Sequence, residues 1–84
     1  MNYSVKIKRS VAKELSKIEK PERGRLIDAI DRLAENPLQG AVLKGELRGL
    51  RRIRVGDYRV LYEVRDQELV VLVVRVRHRR EVYR

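Results

Sequence analysis

The chain has no cysteine and a single histidine, His78. Without cysteine there is no disulfide scaffold, no zinc ribbon and no thiol nucleophile. One histidine cannot make a two-histidine acid/base pair within one chain. The longest apolar run, Leu69 to Val74, is six residues and far short of a bilayer span. Met1-Asn2-Tyr3-Ser4 lacks the apolar core of a signal peptide, so a cytoplasmic protein with no membrane partner is expected. P-loop, nucleophile-elbow, HExxH and EF-hand patterns are all missing. Asp57, Glu63, Asp66 and Glu68 are scattered through turns and a strand, not gathered as metal ligands. Any phosphodiester chemistry is therefore expected to run without metal or cofactor. Repeats, low-complexity stretches and linkers are also absent, so residues 1–84 should form one domain with one small core.

What the chain does have is positive charge, +9 in all with a pI of about 10.5. Residues 1–47 carry ten basic and seven acidic side chains, a net +3; residues 48–84 carry eleven and five, a net +6. Lysine and arginine mix in the first part, whereas from Arg48 onward every Lys/Arg position is arginine. Arginine presents a planar fork of donors that stays charged and matches phosphate. Nucleic acid is the first partner that such an asymmetry suggests, ahead of an anionic membrane surface or an acidic protein.

Hydrophobic spacing outlines the fold. Tyr3, Val5 and Ile7 alternate with Ser4, Lys6 and Lys8, as in a half-buried strand. Ser10 is placed to cap a helix carrying Val11, Leu15 and Ile18. Lys20-Pro21-Glu22 breaks the chain, with Pro21 suited to a first helical turn. Leu26, Ile27, Ile30, Leu33 and Ala34 make the apolar stripe of a second helix, which Asn36-Pro37 should end. Residues 37–49 read as loop, punctuated by Gly40, Gly45 and Gly49. Three strands come next, at about Leu50–Val55, Tyr58–Val64 and Leu69–Val76. The last is nearly all apolar, as expected of a central strand covered on both faces. The expected class is α+β: a small twisted, mainly antiparallel sheet, with an N-terminal strand and a helical hairpin packed on one face.

Gly56-Asp57 is a two-residue hairpin signal. It sets Val55 opposite Tyr58, Arg54 opposite Arg59 and Arg52 opposite Leu61. Side chains alternate across a strand, so Arg52, Arg54 and Arg59 share one face. Ile53, Val55, Val60, Tyr62 and Val64 share the other, and Tyr58 and Tyr62 read as packing residues. Like charges facing each other on a sheet are destabilising by up to about 1 kcal/mol. Three arginines without a nearby acid thus suggest an anionic ligand more than a solvated face. His78 lies among Arg77, Arg79, Arg80 and Arg84. Cations around an imidazole favour its neutral form, which can accept a proton. Tyr83 could stack on a base or hydrogen-bond to a reacting group, or simply pack on the sheet.

Leu43-Lys44-Gly45-Glu46-Leu47, the run Arg51-Arg52-Ile53-Arg54-Val55-Gly56-Asp57-Tyr58-Arg59-Val60-Leu61-Tyr62, and the closing His78-Arg79-Arg80-Glu81-Val82-Tyr83 resemble the RelE branch of the RelE/ParE toxin superfamily over essentially the whole chain. The resemblance implies the toxin of a type II toxin–antitoxin pair. Such a toxin cuts mRNA in the A site of the ribosomal 30S subunit, through attack of the ribose 2′-hydroxyl on the adjacent phosphate. It implies a cognate antitoxin as partner, and operator DNA only through the toxin–antitoxin complex. It assigns catalytic places to Arg52, Arg54, Arg59, Arg79 and Tyr83, with His78 as an outside candidate for proton transfer. Arg51, Arg77, Arg80 and Arg84 become further RNA contacts. Well-known members carry lysine in the place of Arg54; arginine, with a pKa above about 12, is a poor base. Two rival readings stand beside this one: a ParE-like inhibitor of DNA gyrase, and a non-catalytic RNA-binding module.

Overall fold

The computed structural model describes residues 2–81. The roles expected of Tyr83 and Arg84 lie outside them. Among the described residues, five strands and two α-helices succeed one another: β1 (Ser4–Ile7), α1 (Arg9–Ser16), α2 (Lys20–Arg32), β2 (Ala41–Val42), β3 (Arg51–Val55), β4 (Tyr58–Arg65) and β5 (Val70–His78). The sheet order is β1-β5-β4-β3-β2. β1 runs parallel to β5, and the other pairings are antiparallel. The α+β class with a mainly antiparallel sheet is as the sequence predicts.

Both helices cover one face. Val11 and Leu15 of α1 meet Leu26, Ile30 and Leu33 from α2 and its end, over Val60, Tyr62, Val71, Val73 and Val76 of the sheet. Fully burying each such side chain contributes about 1.5–3 kcal/mol, which is what a domain this small depends on. Pro21 lies in the first turn of α2, where its missing N–H costs nothing. No helix among the described residues is long and apolar enough to cross a membrane.

Three local expectations fail for physical reasons. Ser10 does not cap α1: the helix starts two residues earlier, at Arg9, Lys8 is the cap residue, and no side chain bonds to the open N–H groups. The stretch 37–49 is not all loop, since Ala41-Val42 pairs with Arg51-Arg52 and Gly45–Leu47 forms a 3-10 turn. Two residues are too few to show a period. Nor is β5 covered on both faces: no helix of the described chain packs on its second side, which carries Arg75 and Arg77. Its apolar run reflects strand neighbours on either edge over its first half.

One irregularity decides which residues of β5 reach the open face. The β4–β5 register shifts between Leu61 and Tyr62, so that Leu61 faces Arg75 while Tyr62 faces Val73. Val74 is the extra residue of a β-bulge. Before it, Val71 and Val73 face the helices; after it, Val76 and His78 do. The bulge hands Arg75 and Arg77 to the open face.

Candidate nucleic-acid interface

The β3–β4 hairpin has the predicted register: Val55 opposite Tyr58, Arg54 opposite Arg59, Arg52 opposite Leu61. Gly56 has φ +57°, a conformation that a two-residue turn demands and glycine adopts without strain. The sheet then repeats across strands. One row reads Arg52, Leu61, Arg75; the next reads Arg54, Arg59, Arg77. Adjacent strands lie about 4.8 Å apart, so each row spans about 10 Å. Leu61 is 1% exposed although no helix covers its face. Arg52 and Arg75 are its lateral neighbours in the sheet, and arginine stems are apolar enough to shield it.

Arg54, Gly56, Asp57, Tyr58, Arg59 and Arg79 line a groove of about 270 Å³ at the hairpin tip. Arg79 reaches it because its backbone N–H donates to the Asp57 carbonyl at 2.7 Å, closing the end of β5 onto the turn. Its guanidinium Nε lies 3.6 Å from Asp57 Oδ1, with both side chains more than half exposed. An exposed pair of this kind is worth about 0–1 kcal/mol, so a phosphate can displace the carboxylate. Arg77 pairs similarly with Glu81 at 3.5 Å. Among the described residues, Arg52, Arg54 and Arg59 have no carboxylate partner. Their charge is held against repulsion by the sheet alone.

The structure separates other predicted residues from this set. Arg51 points to the helix face, opposite Tyr62. Its guanidinium donates to the carbonyls of Leu38 (3.2 Å) and Gly40 (2.9 Å), so it fastens a loop instead of facing a ligand. His78 also lies on the helix side, opposite Tyr58, with the two rings edge to face at 5.2 Å. Its Nδ1 accepts the Arg80 backbone N–H at 3.2 Å. The bulge at Val74 is the cause, and it takes His78 away from the arginine groove. Arg80 sits in the turn after β5, outside the groove lining. Arg75 shares the open face, although neither the hairpin register nor the resemblance gives it a role. Its spacing of two from Arg77 is the signal in the sequence that could have found it.

Tyr58 and Tyr62 are packing residues, as expected. Burial pushes the Tyr62 phenol up in pKa, partly offset by the Gly40 N–H and the Arg51 charge. Tyr58 is raised by burial and by the carboxylates of Glu22, Glu81, Asp57 and Glu19.

Comparison with known proteins agrees with this architecture. A family described as the ParE toxin of type II toxin–antitoxin systems, parDE, matches residues 5–83. Toxin RelG of Mycobacterium tuberculosis (strain ATCC 25618 / H37Rv) is 33% identical over 86 residues, covering 100% of this chain and 99% of that protein. The toxin–antitoxin complex RelBE2 of M. tuberculosis contains a chain that superposes with a TM-score of 0.85 at 30% identity, covering 93% of this chain and 99% of that one. A chain of the archaeal RelE–RelB complex of Pyrococcus horikoshii OT3 gives 0.80 at 33% identity, covering 98% of this chain and 100% of that one. A five-stranded sheet backed by two helices, a profile match across nearly the whole length and relatives of this similarity together place the chain in the ParE toxin family of type II toxin–antitoxin systems, within the RelE/ParE superfamily.

Proposed function

We propose that this toxin is an endoribonuclease that cleaves mRNA in the ribosomal A site. The observation that carries the reading is the groove in which Arg54, Arg59 and Arg79, from three separate segments, converge on one patch. Three guanidiniums around one groove suit a phosphorane dianion better than a ground-state phosphodiester, and that difference is what accelerates a reaction. The ribose 2′-oxygen bonds to phosphorus and the bond from phosphorus to the 5′-oxygen breaks, leaving a cyclic phosphate and a 5′-hydroxyl. Arg54 and Arg59, with Arg52 beside them, hold the non-bridging oxygens. Arg79 stabilises the leaving oxygen, which takes up a proton from water as it departs. No guanidinium accepts the 2′-hydroxyl proton at neutral pH, and His78 lies on the other face. That proton goes to Tyr83 or to a group of the ribosome. Cytoplasmic action on the 30S subunit follows from the same reading, as does a cognate antitoxin. The antitoxin proposal draws on the complexes in which the M. tuberculosis and P. horikoshii relatives were solved.

The test is primer extension on mRNA after in vitro translation with purified ribosomes. Cleavage at codons in the A site, abolished in a folded Arg59→Ala/Arg79→Ala double variant, is expected. Intact mRNA with wild-type toxin would refute the assignment. The ParE description of the matching family favours one other reading, inhibition of DNA gyrase by binding. A supercoiling assay separates the two, because only a gyrase inhibitor blocks it.

A further inference from the structure

A second groove lies on the other side of β5. β1 accompanies β5 only as far as Ile7 opposite Val73, and the last rung is the Lys8 N–H donating to the Val73 carbonyl at 3.2 Å. The chain then turns into α1, and β5 runs on from Val74 with no strand of the described residues beside that edge. The space left is a groove of about 250 Å³ lined by Lys8, Ser10, Val11, Glu14, Val74, Arg75 and Arg77. It is nearly as large as the groove at the hairpin tip. It presents three cations and a hydroxyl against one carboxylate, Glu14, which has Lys17 at 3.9 Å. The bulge at Val74 turns Arg75 and Arg77 onto the open face and so joins the two grooves. Arg59, in the first, stands directly opposite Arg77, in the second.

We infer that this second groove is a phosphate subsite for the same single RNA strand. The strand enters at Arg54, crosses β4 and β5 over Arg59 and Arg77, and leaves between Arg75 and Lys8. The inference rests on the reading of the first groove as the RNA site, and it names where the flanking nucleotides go. The track runs across the strands, not along them. Along β4 in the other direction Glu63 follows Leu61 on the open face and holds Arg65 in an ion pair, so no unpaired cation continues the track there. Across the strands the cations continue through Arg77 to Arg75 and Lys8, with Glu81 at 3.5 Å from Arg77 and Glu14 on the far wall as the carboxylates that a phosphate must compete with.

The experiment measures binding of uncleavable 2′-O-methyl RNA by fluorescence anisotropy, with a trimer and an octamer. The trimer carries two phosphodiesters, enough for the first groove and Arg77, whereas the octamer's seven can extend to Arg75 and Lys8. A Lys8→Ala/Arg75→Ala variant is expected to hold the trimer as tightly as the wild type and the octamer about tenfold more weakly, as fits the removal of two charged groups from an exposed site. Its salt dependence on the octamer should be shallower by about 1.4 in the log–log slope, at about 0.7 for each phosphate no longer neutralised. A charge-matched control on the helix layer, Lys20→Ala/Arg32→Ala, should keep octamer affinity. Equal affinity of variant and wild type for the octamer overturns the subsite, and so does an equal loss on trimer and octamer. Failure of the underlying reading looks different: an Arg54→Ala/Arg59→Ala variant would then bind the trimer normally. Circular dichroism melts of each variant distinguish weaker RNA binding from an unfolded protein.

Discussion

Replacing Tyr62 with phenylalanine removes a single oxygen from the core. That oxygen is held twice: it accepts the Gly40 N–H at 2.9 Å and donates to the Pro37 carbonyl at 2.7 Å. The ring is fully buried, and the Gly40 N–H is buried with it. A buried donor left without a partner costs about 1–3 kcal/mol, and the removal of an ordinary hydrogen bond about 0.5–1.5. The Pro37 carbonyl is only partly buried and can turn to water, so its share is the smaller. A loss of about 2–3 kcal/mol results, equivalent to a fall in Tm of roughly 10–20 °C for a domain of this size. Urea unfolding monitored by far-UV circular dichroism reads it directly. Gly40→Ala is the companion: a Cβ there would lie 2.5 Å from the Tyr62 hydroxyl and 2.9 Å from both the Arg52 carbonyl and Tyr62 Cε1. Its cost should shrink in the Tyr62→Phe background, because the shortest of the three clashes has gone, while those with the ring carbon and the backbone remain. A Tyr62→Phe loss below about 0.5 kcal/mol, the range of an ordinary surface change, would refute the claim that this hydroxyl clamps the loop.

The other expected outcomes concern charge. Arg54→Ala/Arg59→Ala should weaken RNA binding and abolish cleavage while leaving Tm equal or higher, since it removes two like charges that face each other; a clear fall in Tm would mean that the pair supports the fold. Asp57→Asn should tighten polyanion binding a few-fold with a stability change of about 1 kcal/mol or less, because it frees Arg79 from an exposed pair; unchanged affinity in anisotropy titrations would count against displacement of the carboxylate. Tyr3, Tyr58 and Tyr62 all have raised pKa values: Tyr3 chiefly through its hydrogen bond to Asp66, the other two chiefly through burial. A folded pKa above the unfolded value of about 10 means that this stability is fully present below that pH and is lost as pH rises through the folded values. Denaturant midpoints should therefore fall above about pH 10, less steeply in Tyr62→Phe; a flat profile to about pH 12 would contradict it.

The hairpin was legible because a two-residue turn fixes register, and register fixes faces. Gly56-Asp57 alone placed Arg52, Arg54 and Arg59 together. The helices were legible as stripes of Val11, Leu15, Leu26, Ile30 and Leu33, all buried. What escaped was set by contacts distant in sequence. β2 is an edge of two residues that exists only through its pairing with β3. Arg51 looks like its neighbour Arg52 but faces the other way, toward carbonyls of a loop that no local pattern places there. His78 was grouped with the arginines by adjacency, and nothing in the apolar run Leu69–Val74 marks which residue is bulged.

That unmarked residue is where the last strand can absorb a change in length. Val73 and Arg75 face opposite sides of the sheet, with Val74 between them as a surplus. Deleting Val74 would set Arg75 directly after Val73 in plain alternation, opposite Leu61 as before, and would leave Arg75 and Arg77 on the open face. Ironing the bulge out at constant length is what would do damage. With Val74 opposite Leu61, Arg75 and Arg77 would be driven into the oily layer under α1, and Val76 and His78 would be stranded outside. The strand thus keeps a spare residue at the one step where losing it relaxes a distortion and spares the register.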